Sequence, residues 1–229
     1  MLQFTDTEFL KKVPLFADIG ADDLKAVADL LRVRKFSKRH TLMYEGDPAD
    51  ALYIIKEGSV AVTRTSSDGR ETILSILKQG DVLGELGVLD EAPRSATVTL
   101  LRDAQLLSLP RDEFLDLLSQ RPQLNRSVIT ALCARLRASN RMVQTRSHLT
   151  VKARVADLLL TLASDFGEAA ESGNQITIRL THQQLANMSG TTRETMNRTL
   201  NELWDAKLID MRRKHIVVCD TAGLAALRA

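Results

Sequence analysis

The sequence predicts an α+β chain in three parts: an N-terminal β-roll of the jelly-roll type, a long helix, and a C-terminal winged helix-turn-helix. Three observations carry this. Gly46, Gly58, Gly69 and Gly80 punctuate the chain at near-regular spacing, with short β-type segments between them, as in an all-β sandwich or barrel. No proline or glycine interrupts residues 123–166. Residues 181–204 read as two short helices joined at Ser189-Gly190. The division expected is a domain over 1–121, a helix and hinge over 122–148, and a second domain over 149–229.

Composition bounds the rest. The chain has 229 residues, and its 44% apolar content allows two cores. Two cysteines cannot form a disulfide scaffold and suit a reducing cytoplasm. No apolar run is long enough to span a membrane, and the charged, amphipathic start is not a signal peptide. Net charge is only +2, so any basic surface must be local.

In chain order, residues 5–12 and 21–31 read as short amphipathic helices around the turn at Asp18-Ile19-Gly20. Residues 52–55, 59–65, 71–77, 96–101 and 105–109 read as strands of the roll. Before residue 148 the only histidine is His40, which argues against the His and carboxylate cluster of a metal-dependent jelly-roll enzyme. Within the roll, residues 80–97 carry two glycines around Glu85, then Arg94-Ser95. Residues 85–89 suit one helical turn whose N–H groups point at an anion. Arg94 suits a phosphate, and Glu85 suits sugar hydroxyls. The same residues also fit a bulged strand closed by a Glu85–Arg94 salt bridge.

Pro110 opens a helix to Ser119, and Pro122 a long one. Val128, Leu132, Leu136, Ser139 and Val143 recur at seam spacing, which suits either a dimer interface or packing on the chain's own roll. Residues 117–156 hold eight Lys or Arg and no acidic residue; Lys152 and Arg154 at its end are candidates for phosphate contacts. A helix over 151–164, a loop over 165–174 and a strand over 176–180 precede residue 181.

Thr181 with Gln184 is a capping-box pattern. Gly190 can supply the positive φ of the turn, and Thr191 or Thr192 caps the second helix. Met196, Leu200, Leu203 and Trp204 are expected to face inward. Arg193, Asn197 and Asn201 form a polar row flanked by Glu194 and Arg198. In a helix-turn-helix the second helix enters the DNA major groove, where Arg pairs with guanine and Glu accepts from cytosine. Glu194 also fits a capping box with Thr191. Ser189 stands where the motif usually carries an apolar residue. Strands at 208–211 and 216–219 make a wing tipped by Arg212, Arg213, Lys214 and His215. Residues 221–229 form a short helix.

Gly84-Glu85-Leu86-Gly87 followed by Arg94-Ser95-Ala96 resembles the phosphate-binding cassette of cyclic-nucleotide-binding domains. Arg193-Glu194-Thr195 with Arg198 and Leu200 resembles the recognition helix of the CRP/FNR family of bacterial transcription regulators. The likeness covers nearly the whole chain. It implies a cyclic-nucleotide-binding-like roll, a long dimerisation helix, and a DNA-binding winged domain, with no enzymatic activity. The effector residues implied are Gly84, Glu85, Leu86, Arg94 and Ser95, with Ser139 and Asn140 on the long helix, some reached from the partner chain. The effector implied is cyclic AMP or another small nucleotide. No metal, haem or iron–sulfur cluster is expected, since the four-cysteine pattern of oxygen-sensing members is absent. Family members of the cyclic-AMP type carry Thr-Ser where Ser139-Asn140 stands, which leaves the effector's identity open.

For double-stranded DNA the residues implied are Thr181, Thr192, Arg193, Glu194, Asn197, Arg198, Lys152, Arg213 and Lys214, on TGTGA-like palindromic half-sites. A homodimer in the cytoplasm, with RNA polymerase as a further partner and no membrane association, completes the expectation. Loop 165–174 differs from the activator surface of the best-known relative. Two rival readings keep the fold: an effector-independent regulator, and a ligand-binding regulatory subunit acting on a protein partner.

Overall fold

A computed structural model describes residues 4–65, 71–212 and 215–228. The chain forms two compact units, residues 1–140 and 141–229. In the first, helices α1 (Phe4–Leu10) and α2 (Ala21–Leu30) flank a 3-10 turn at Pro14–Phe16. Among the described residues the strands that follow are β1 (Arg32–Phe36), β2 (Thr41–Met43), β3 (Ala51–Glu57), β4 (Val60–Thr65), β5 (Glu71–Leu77), β6 (Val82–Leu83), β7 (Thr97–Leu100) and β8 (Ala104–Pro110). They make two antiparallel sheets, ordered β1-β8-β3-β6 and β2-β7-β4-β5.

Side chains alternate across a strand, and the cores follow that alternation. Ile55 of β3 and Leu106 of β8 join Met43, Val98 and Leu100 between the sheets. Leu52, Ile54, Leu107 and Leu109 point the other way, into a second core shared with α1, α2, α4 (Arg111–Gln120) and α5 (Pro122–His148). The short helix α3 (Glu85–Leu89) sits between β6 and β7.

The stripe expected along α5 divides in two. Leu124 and Val128 are buried in the roll's helical core, with Leu132 packed against it. Leu136 and Ser139 are exposed, and the Val143 side chain lies outside the described residues. The exposed apolar row falls at Ile129, Cys133 and Leu136 instead. Burial on the roll takes one face of the helix, so the free strip is rotated to the adjacent one.

In the second unit, α6 (Val151–Phe166) and α8 (Arg193–Asp205) pack on a sheet whose strands run in the order Ile209–Arg212, His215–Val218, Gly173–Ile176, Gly167–Ala170, with α7 (His182–Ser189) against α6 and α8 and α9 (Thr221–Ala226) against α6. Where a loop was expected, β9 (Gly167–Ala170) and β10 (Gly173–Ile176) pair as a hairpin. The strand expected over 176–180 ends at Ile176. Three of the four β9 side chains are exposed, so no alternation marks it, and Gly173 approaches β12 too closely for any Cβ. Strands β11 (Ile209–Arg212) and β12 (His215–Val218) form the wing. Its tip residues Arg213 and Lys214 lie outside the described residues.

Candidate functional site

Two constellations emerge, one in each unit. In the first, Gly84 takes φ +76° at the start of α3, and a Cβ there would meet the Arg94 guanidinium at 2.5 Å. Gly87 is equally constrained: a Cβ would press on the Ala92 carbonyl at 2.7 Å. The two glycines thus let the backbone turn tightly around Glu85 and Arg94. Both charged residues are buried, at 3% and 4% exposure, and a buried charge requires partners.

Their partners are not each other. Glu85 Oε1 accepts from Arg135 Nη1 of α5 at 2.6 Å. Arg94 donates from Nη1 to the Gly84 carbonyl at 3.0 Å, and from Nη2 to Asp50 Oδ1 at 2.8 Å and the Ala51 carbonyl at 2.7 Å. The Glu85–Arg94 bridge weighed from sequence does not form. A guanidinium has five N–H donors, so Nε–H and one Nη1–H remain. Both Nη2 hydrogens are spent, so a bidentate grip on an anion requires Nη2 to release Asp50 or Ala51. Nearby, the Tyr53 hydroxyl is pushed above its ordinary range by burial and then by Asp50, so it stays protonated.

A cleft of about 530 Å³ is lined by the Glu85–Arg135 pair with Leu15, Leu77, Val82 and Ala138, and Arg94 is not part of its lining. Leu86, Ser95, Ser139 and Asn140 are exposed. Asp50 and Arg135 escaped the sequence reading as site residues, because their partners lie 44 and 50 positions away.

The second constellation is the helix pair α7–α8. The capping box is complete: Thr181 Oγ1 accepts from the Gln184 N–H, and Gln184 Oε1 accepts from the Thr181 N–H. Gly190 turns the chain at φ +65°. Ser189 is buried where an apolar residue is usual, with its hydroxyl donated to the Leu185 carbonyl at 2.9 Å. Thr192, not Thr191, caps α8, accepting from the Thr195 N–H. That leaves Glu194 outside any capping box.

Met196, Thr199, Leu200 and Leu203 fill the buried face of α8, while Trp204, expected inside, is 48% exposed at its edge. On the opposite face Arg193, Glu194 and Arg198 are exposed, and none has a hydrogen bond or ion pair among the described residues. Asn197 Oδ1 is engaged by His182 Nδ1 of α7. Lys152 pairs with Glu202 at 3.3 Å.

Arg154, a candidate for phosphate, is committed to the fold. It donates to the Ser189 carbonyl at 2.9 Å, the Leu149 carbonyl at 3.0 Å and the Gly190 carbonyl at 3.1 Å. Among the described residues no group of His, Cys, Asp and Glu could hold a metal. No helix there is long and apolar enough to cross a membrane.

Comparison with known proteins bears on both constellations. Residues 33–121 match the cyclic nucleotide-binding domain, and residues 153–227 the Crp-like helix-turn-helix domain. The chain is 31% identical to the CRP-like cAMP-activated global transcriptional regulator of Mycobacterium tuberculosis, over 95% of this chain and 97% of that protein. It is 29% identical to the global nitrogen regulator of Synechococcus elongatus, over 92% and 94%. In fold it is similar to the c-di-GMP responsive global regulator CLP of Xanthomonas campestris. That match has a TM-score of 0.73 at 24% identity, over 87% of this chain and 99% of that one.

Proposed function

The chain belongs to the CRP/FNR family of DNA-binding transcription regulators, and from that premise we propose that it is a homodimer whose hold on palindromic DNA is set by a small nucleotide. The observation that carries this is the unpaired Arg193, Glu194 and Arg198 on the exposed face of α8. Exposed arginines on a recognition helix match guanine O6 and N7, and an unpaired glutamate matches cytosine N4. That set fits a TGTGA-like half-site. Thr181, Thr192, Lys152, Arg213 and Lys214 take the sugar–phosphate backbone, positioning the helix without reading sequence.

The dimer is supported by the free strip on α5. Ile129 and Leu136 are 56% and 62% exposed, with Cys133 between them at coiled-coil spacing. A two-fold dimer places its recognition helices on half-sites about one helical turn apart. RNA polymerase is then the partner that such an arrangement serves.

The effector is a cyclic nucleotide such as cyclic AMP, held by Gly84, Glu85, Leu86, Arg94 and Ser95 with Ser139 and Asn140. Buried Glu85 beside Arg135 supports this, because a carboxylate so placed accepts from ribose hydroxyls while its charge stays compensated. Binding acts by population shift, and only to the extent that the nucleotide prefers one arrangement of the dimer. A second reading draws on a specific observation: Arg94 already spends three of its five N–H donors on its own fold, as in a regulator that needs no effector.

The test is operator binding by the purified full-length protein, with and without cyclic AMP, cyclic GMP and cyclic di-GMP. Tighter binding with one nucleotide supports effector control, and unchanged tight binding supports the second reading. Absence of preference for any palindrome over random duplex overturns both.

A further inference from the structure

The hydrogen bond between the two helices of the reading unit has a consequence for base selection. His182 is the first residue of α7, and Asn197 lies on α8 one turn beyond Arg193 and directly before Arg198. Their side chains meet through His182 Nδ1 and Asn197 Oδ1. An amide oxygen only accepts, so Nδ1 carries the hydrogen and His182 is the donor. A free asparagine reads adenine with both ends of its amide: Oδ1 accepts from N6 while Nδ2 donates to N7. That pairing needs both atoms turned to one base edge. With Oδ1 held towards α7, the planar amide leaves Nδ2 as the end that can face a base, and Nδ2 has only hydrogens to offer.

We propose that His182 is a positioning residue that makes Asn197 a donor-only reader, so that Asn197 favours a base edge rich in acceptors, guanine or thymine, over adenine, whose N7 acceptor stands beside the N6 donor. Guanine offers N7 and O6, and thymine offers O4. Cytosine presents its N4 donor at that edge and is disfavoured. This rests on α8 lying in the major groove, as proposed above.

The experiment is selection of the full-length protein on a pool of random-sequence duplexes, with and without cyclic AMP, for wild type, Asn197→Ala, His182→Ala, His182→Gln and Arg193→Ala. Asn197→Ala identifies the base pair concerned by flattening its preference. At that position wild type is expected to favour guanine or thymine. His182→Ala frees Oδ1 and should raise adenine by roughly five-fold or more, the lower end of what a bidentate pair discriminates. His182→Gln keeps a side-chain N–H donor and should retain the wild-type profile. A merely structural histidine would lower affinity for all sequences and leave the profile as it was.

The proposal is overturned if His182→Ala and wild type select the same bases, if wild type favours adenine or cytosine there, or if Asn197→Ala flattens no position. Wild type enriching no sequence at all removes the DNA-reading assignment, and this proposal with it. A profile that responds to Arg193→Ala but not to His182→Ala removes this proposal alone.

Discussion

Arg94 is the residue whose chemistry changes most between sequence and structure. Its side chain is 4% exposed and holds two backbone carbonyls as well as Asp50. A buried acceptor left without its donor is costly, and bonds to a charged group are worth about 1.5–3 kcal/mol each. Asp50 is largely solvated, so its share is small. Arg94→Ala should therefore lower the stability of the ligand-free protein by about 3 kcal/mol, read by chemical denaturation. If stability were unchanged and only nucleotide binding fell, the arginine would be a ligand group alone. Arg193 presents the opposite case, since it is exposed and has no hydrogen bond or ion pair among the described residues. Arg193→Ala should leave the melting temperature unchanged, cost about 1–3 kcal/mol of operator affinity and relax one base position. Unaltered base preference in a panel of operator variants would refute its reading role.

At the scale of elements, α5 has two faces, one buried on the roll and one exposed. Leu124 is fully buried in the roll's helical core, whereas Leu136 is exposed beyond it. Leu124→Ala should destabilise the first unit by about 2–5 kcal/mol. Leu136→Asp should leave that unit folded and dissociate the proposed dimer, an outcome read by sedimentation. A Leu136→Asp protein that stayed dimeric would place the interface elsewhere. The turn between α7 and α8 depends on backbone alone: nothing lies within 4 Å of where a Gly190 Cβ would be. Gly190→Ala should thus cost about 1–2 kcal/mol through its left-handed conformation, not through a clash. Denaturation of the variant checks this, and a neutral effect would mean the turn relaxes.

For the whole molecule, a net charge of +2 gives no long-range attraction to nucleic acid, so association must rely on local cations. Ten Lys and Arg face nine Asp and Glu after residue 149. Lys152 exemplifies the local arrangement, with its ammonium on Glu202 at the surface, a weak pair that a phosphate can displace. Operator affinity should fall linearly on a log–log plot against salt, and Lys152→Gln should reduce that slope by about one without altering base preference. An unchanged slope would leave Lys152 paired to Glu202 in the complex.

Sequence by itself determined whatever is local in chain or periodic: the glycine-punctuated roll, the uninterrupted helix, the capping box at Thr181 and the positive-φ turn at Gly190. Each depends on residues within a few positions, where φ/ψ preference and spacing act directly. The β9–β10 hairpin stayed hidden because its exposed side chains leave no alternation to read. Tertiary structure alone decided the pairings. Glu85 found Arg135, Arg94 found Asp50, His182 found Asn197, and Arg154 closed on the carbonyls at the end of α7, at separations of 15 to 50 residues. Any buried charge must be compensated, but which group compensates it is set by where the folded chain brings a partner within hydrogen-bond reach. The same holds for α5: its apolar spacing was evident, yet only packing on the roll decided which face was covered and which was left exposed.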